Sequence, residues 1–154
     1  MNLLPPYDLL CKGLPADSPP AARKIALIDD KNAAEAFAEH LETQKITAIA
    51  LDSEYRFSTP GVPLNNGGTW HDIRSQQPIC FSIAVAVAGF DDITTTVLDV
   101  RKPGVAAQLG RILGLRVPFV FHNAKSEFFS LWALDLDPDV QILYDTKIVA
   151  LCLN

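Results

Sequence analysis

Between Lys31 and Thr43, Ala34, Phe37, Ala38 and Leu41 recur at i, i+3, i+4 and i+7, one apolar stripe of a helix. Asp30 stands immediately before it as a capping residue. The pattern then changes. Ile46–Leu51 is a short apolar run that predicts a strand ending at Asp52, and residues 79–88 and 94–100 predict two more. A turn at 89–92 joins those two, so they are expected as an antiparallel hairpin beside the first strand. Pro103 is placed to open a helix, in which Val105, Leu109, Ile112 and Leu113 share one face. "VPFVFH" (117–122) reads as a buried strand and "NAKSEFFSLWAL" (123–134) as a helix with Phe128, Leu131 and Trp132 toward the core. Asp145 is placed to cap a last helix reaching Leu153.

The resulting order, α-β-β-β-α-β-α-α, predicts an α/β domain: a mixed β-sheet flanked by helices. Two stretches stand outside it. Residues 1–24 hold five of the eleven prolines and read as an extended arm, with a short turn at Tyr7–Leu10. Residues 55–78 carry Pro60, Gly61, Pro63, Asn65, Asn66, Gly67 and Gly68, the chemistry of a long loop.

Composition narrows the class. A chain of 154 residues, 49% hydrophobic, can bury one sizeable core, which argues for a single domain. A net charge of −5 disfavours coating nucleic acid by bulk charge, but not a nuclease that works through a metal and a local groove. Cys11, Cys80 and Cys152 show no metal-ligand spacing, and a reduced, cytoplasmic setting is expected. The longest apolar run, "ICFSIAVAVAGF", is far short of the roughly 20 residues that span a bilayer, so no membrane partner is expected.

The candidate chemistry lies in "IALDSEY". Strand alternation sends Asp52 and Glu54 to one face, where two carboxylates repel unless a cation sits between them. A divalent ion with oxygen ligands would answer that; acids that simply face water are the alternative. In "FHNAKSEFF", Asn123 is placed to cap the helix and Glu127 follows one turn later on the same face. Here the alternative is a polar helix start, with Glu127 favoured by the helix dipole. Trp70, His71 and Arg74 could stack on a base and touch a phosphate, or anchor the loop. "DLDPDVQILYDT" has acids spaced as in a calcium loop, but Val140 and Thr146 stand where such a loop needs Gly and Glu, so it reads as a turn.

These motifs together resemble the ribonuclease-H-like 3′–5′ exonucleases of the DEDD superfamily, nearest to the proofreading domain of family A DNA polymerases. "IALDSE" is similar to the first family motif, "FHNAKSEFF" to the second, and "LYDTKIVALCLN" to the Asp-Thr pair and helix that follow. The resemblance covers residues 25–154. It implies two divalent metal ions, Mg²⁺ or Mn²⁺, about 3.5–4 Å apart, with Asp52 bridging both, Glu54 completing one and Glu127 holding the other. It further implies substrate contacts from His122, Asn123 and Lys125, a single-stranded DNA 3′ end as substrate, and a polymerase domain in a longer chain.

Two departures accompany the resemblance. Glu127 stands where the family has Asp, and the third family motif, with the general base and fourth carboxylate, is expected well beyond the nine residues that follow Asp145. A partial domain, incomplete at its C-terminus and with an uncovered sheet face open to self-association, is therefore expected. The rival readings are a catalytically inactive nucleic-acid-binding or scaffold domain of the same fold, and an unrelated α/β interaction domain.

Overall fold

The computed structural model describes residues 25–89, 93–138 and 143–152. The arm at 1–24, most of the turn at 89–92 and, of the calcium-loop-like acids, Asp139 lie outside them. The main-sheet strands and the helices run β1 (Ile25–Ile28), α1 (Lys31–Thr43), β2 (Ile46–Phe57), β5 (Gln76–Val87), β6 (Thr94–Asp99), α2 (Val105–Leu113), β7 (Phe119–Phe121), α3 (Ala124–Trp132), β8 (Leu143–Asp145) and α4 (Thr146–Cys152). Between β2 and β5 lie a small hairpin, β3 (Val62–Pro63) and β4 (Thr69–Trp70), and a 3₁₀ turn at Ile73–Ser75.

Six strands form one mixed sheet in the order β1-β6-β5-β2-β7-β8. Only β5 runs against its neighbours; β1 with β6, β2 with β7, and β7 with β8 are parallel. The crossovers β1-α1-β2, β6-α2-β7 and β7-α3-β8 all advance in the same direction across the sheet. With right-handed connections, that places α1, α2 and α3 on one face. The buried core agrees: Ile49, Leu51, Phe81, Ile83, Leu98, Phe119 and Phe121 point inward from the strands to meet Ala38, Leu41, Leu109, Ile112 and Leu131 from the helices.

Alternation sends Ala48, Ala50, Ser82, Ala84, Ala86, Thr95, Val97 and Val120 to the opposite face, where each is half-buried. Ile25 and Leu27, paired with Thr95 and Val97, extend that face and are 65% and 67% exposed. Among the described residues no long helix covers it.

The first helix matches its expected bounds. The Asp30 carboxylate accepts hydrogen bonds from the Asn32 and Ala33 amides at 2.9 and 3.0 Å. Four expectations are corrected. The first strand does not end at Asp52: β2 pairs with β5 as far as Phe57↔Gln76, so the acids sit inside a strand and the irregular insertion shrinks to 58–75. Pairing to β5 outweighs the poor strand propensity of the acids, and the extra residue Ile79 is taken up as a bulge opposite the Glu54/Tyr55 step. The second helix begins at Val105, not Pro103, because Gly104 turns the chain with φ 81°. A Cβ at Gly104 would lie 2.9 Å from Cγ of Lys31, so glycine also makes room for α1. Trp132, expected in the core, is 50% exposed at the end of α3, where only Leu131 of that stripe is fully buried.

Candidate functional site

The strands β2 and β7 pair only over Ile49–Leu51 and Phe119–Phe121. Beyond Leu51, β7 leaves the sheet at His122 and turns into α3, so β2 continues with no strand on that side. A cavity of about 370 Å³ opens in the gap, at the carboxyl end of β7 and beside the stretch of β2 that β7 leaves unpaired. Clefts of α/β sheets form at such ends. Asp52, Glu54, His122, Asn123 and Glu127 all line it, so five of the six residues that the resemblance assigns to the site meet in one place. Lys125 does not: it is exposed on α3 and lies outside the lining.

Asp52 and Glu54 are exposed, while Leu51 and Ser53 between and before them are buried, as strand alternation requires. Glu127 is different in kind. It is only 3% exposed, and its Oε2 has no hydrogen-bond partner. Burial, reinforced by the charges of Asp52 and Glu54 and opposed by hydrogen bonding to Ser53, pushes its carboxyl up to about 7. A buried, half-unsatisfied carboxylate facing two others is costly without a partner.

A buried polar chain stands behind the acids. The Ser53 hydroxyl donates to Ser130 at 3.0 Å, Ser130 to the Gln76 carbonyl oxygen at 3.2 Å, and the Gln76 amide nitrogen to Ser126 at 3.1 Å. Ser126 in turn donates to the Tyr55 hydroxyl at 3.1 Å. Both ends of the Gln76 amide are used, so its orientation is set, and α3 is tied to β2 and to the start of β5.

Asn123 corrects a further expectation. It occupies the position before α3 but adopts the left-handed conformation, φ 69° and ψ 57°, and its side chain caps nothing. Asparagine tolerates that region better than most residues. The cap comes from Asp145 at the end of β8, whose carboxylate accepts from the Asn123 amide at 3.0 Å and the Ala124 amide at 2.8 Å. The same side chain caps α4, as expected, accepting from the Lys147 amide at 2.9 Å. Burial alone would raise the Asp145 carboxyl, but these backbone donors outweigh it and hold the group below its ordinary range. Alongside, His122 Nδ1 meets Thr146 Oγ1 at 2.9 Å, and Thr146 donates to the Phe121 carbonyl at 3.2 Å.

In the insertion, His71 rather than Trp70 is the anchor. His71 stacks on Phe57, with ring centroids 4.1 Å apart and planes 6° from parallel. Trp70 is 54% exposed, and Arg74 is held by both oxygens of Asp72 at 3.0 and 2.9 Å.

Asp52, Glu54 and Glu127 are of the residue type that holds a hard divalent cation, and the unpartnered Glu127 oxygen fits that role. The side chains are not drawn into a closed ligand set: among the described residues no three His, Cys, Asp or Glu side chains form a group that could hold a metal ion. Sequence reasoning missed Ser53, Tyr55 and Ser126, which are ordinary strand and helix polar residues until the topology brings them together. It also missed Lys147, whose one signal was its place beside the Asp-Thr pair.

No described helix is long and apolar enough to cross a membrane. No family model matches the sequence, and no curated protein matches it. Solved structures do. The exonuclease (EXO) domain of Nibbler from Aedes aegypti superimposes with a TM-score of 0.53 at 13% identity, over 84% of this chain and 56% of that one. The catalytic core of RRP6 from Trypanosoma brucei superimposes with a TM-score of 0.55 at 16% identity, over 81% of this chain and 29% of that one. The chain thus spans about half of the first structure and under a third of the second. At such identities the likeness concerns the fold: this chain has a ribonuclease-H-like α/β fold, a mixed sheet flanked by helices.

Proposed function

We propose that the chain is a metal-dependent 3′–5′ exonuclease domain acting on single-stranded DNA 3′ ends. The observation that carries this reading is the convergence of Glu127, buried with one unpartnered oxygen, with Asp52 and Glu54 at one cavity. Asp52, Glu54 and Glu127 would hold Mg²⁺ or Mn²⁺, two ions in the full arrangement. When bound, such ions supply Lewis-acid stabilisation of a phosphoryl oxygen and an activated water.

The chain's own residues do the rest. Ser53 and the Ser130–Gln76–Ser126–Tyr55 chain hold α3, and with it Glu127, against β2. Asp145 sets the corner at which His122 and Asn123 face an entering strand. A proofreading role beside a polymerase domain in a longer chain is the setting in which we place this activity.

Glu127, which stands where the resembled family has Asp, favours a second reading, an inactive nucleic-acid-binding or scaffold domain of the same fold. One experiment separates the two. A 3′-labelled single strand is incubated with Mn²⁺ and either the unsubstituted chain or Asp52→Ala. Shortening from the 3′ end by the first alone is the expected result. Shortening by neither, with retained binding, favours the second reading, and equal shortening by both removes Asp52 from the site.

A further inference from the structure

Lys147 is the only lysine or arginine among the residues lining the acidic cavity. Its ammonium takes part in no ion pair among the described residues, whereas Arg74, Arg101 and Arg111 each have a carboxylate. Its placement is set by the fold. The Lys147 amide donates to Asp145 Oδ1, which also accepts from Asn123, so the first turn of α4 is fixed to the first turn of α3. The bond between His122 and Thr146 ties the same turn to the end of β7. A lysine held there has one free charge, three donors, and three carboxylates across the cavity.

From this placement, and resting on the nuclease reading above, we propose that Lys147 is the phosphate-binding cation of the cavity. Its ammonium pairs with a nonbridging oxygen of the terminal phosphodiester, or of the 5′-phosphate of a released mononucleotide. A compact ammonium suits this role because it binds phosphate as a point charge and needs no fixed plane. The three acids repel a bare phosphate. Lys147 offsets that repulsion at the side of the cavity formed by α4, while the acids remain available to metal. Lys147 therefore contributes to substrate affinity and not to metal affinity.

Titration calorimetry tests this with the full chain and Mn²⁺, using thymidine 5′-monophosphate and, as a ligand without phosphate, thymidine. Lys147→Met is expected to weaken monophosphate binding by about tenfold or more, the size of one lost charge-assisted contact. Lys147→Arg should restore most of it. Thymidine binding and Mn²⁺ binding without nucleotide should not change, and Lys45→Met, at the far end of β2, should behave as the unsubstituted chain. For a single strand, the log–log salt slope should fall by about 0.7 in Lys147→Met, a change that a merely structural lysine would not produce. Unchanged monophosphate affinity in Lys147→Met overturns the proposal. So does tighter Mn²⁺ binding with unchanged monophosphate affinity, which would make Lys147 a counter-ion for the acids. No Mn²⁺-dependent monophosphate binding by the unsubstituted chain would instead overturn the nuclease reading, and this proposal with it.

Discussion

The Asp145 carboxylate accepts a hydrogen bond from the Ala124 amide at 2.8 Å, although the two residues are twenty-one positions apart along the chain. It also receives the Asn123 and Lys147 amides, so one side chain caps two helices. Asp145→Ala should therefore cost about 1–3 kcal/mol, more than a single lost cap, read as a lower urea midpoint. Because the folded carboxyl lies below its ordinary value of 3.8, its contribution is present above that pH and is lost as pH falls through the folded value. The unsubstituted and Asp145→Ala proteins should thus converge in stability in strong acid. A constant difference between them from pH 7 to pH 2 would contradict the capping role.

Glu127 should titrate in the opposite sense. Its carboxyl is raised from 4.5 to about 7, so between those values the folded chain holds a proton that the unfolded chain has released. Stability from this group falls as pH rises through that window. Glu127→Gln should remove the loss and raise stability at pH 8 by about 1–3 kcal/mol. In the unsubstituted chain, stabilisation by Mn²⁺ should grow between pH 6 and 8 as the proton leaves; in Glu127→Gln it should be weaker and nearly flat. Thermal melts across pH, with and without Mn²⁺, check both.

Gln76→Ala would leave the Ser126 and Ser130 hydroxyls without their amide partner in a buried setting. A cost of about 2–4 kcal/mol is expected, against less than about 1 kcal/mol for the exposed Gln77→Ala. Denaturant unfolding of the two variants side by side is the check. Equal, small losses would mean that the polar chain contributes nothing.

Gly61 packs where a side chain cannot go: an added Cβ would collide with Thr69 and with the His71 ring. Gly61→Ala should displace His71 from Phe57 and loosen the hairpin while leaving the six-stranded sheet intact. Proteolysis confined to residues 58–75, with little change in far-ultraviolet circular dichroism, is the expected signature.

How far the sequence revealed this arrangement depends on where the stabilising partners lie. The helix at Lys31–Thr43 is written locally, in its stripe and in Asp30, and was legible to the residue. β1 and β8 were not. They are four and three residues long and exist because β6 and β7 pair with them from a distance. The overrun of β2 was hidden by its charged row, Asp52, Glu54 and Arg56, which reads as a strand end until β5 supplies the ladder. Within the site, alternation and helical spacing identified Asp52, Glu54 and Glu127. Neither rule could identify Lys147, which reaches the cavity only because Asp145 ties two helix starts together.

The insertion that carries Trp70 outward returns to the sheet at Gln76, the first residue of β5. That residue is hydrogen-bonded to two serines of the helix that carries Glu127. The outlying hairpin and the acidic cavity therefore share this mooring, in addition to the His71–Phe57 stack that ties the hairpin to β2. A pull on the insertion would therefore load the acidic cavity through the Gln76 amide as well as through β2, without passing through the hydrophobic core.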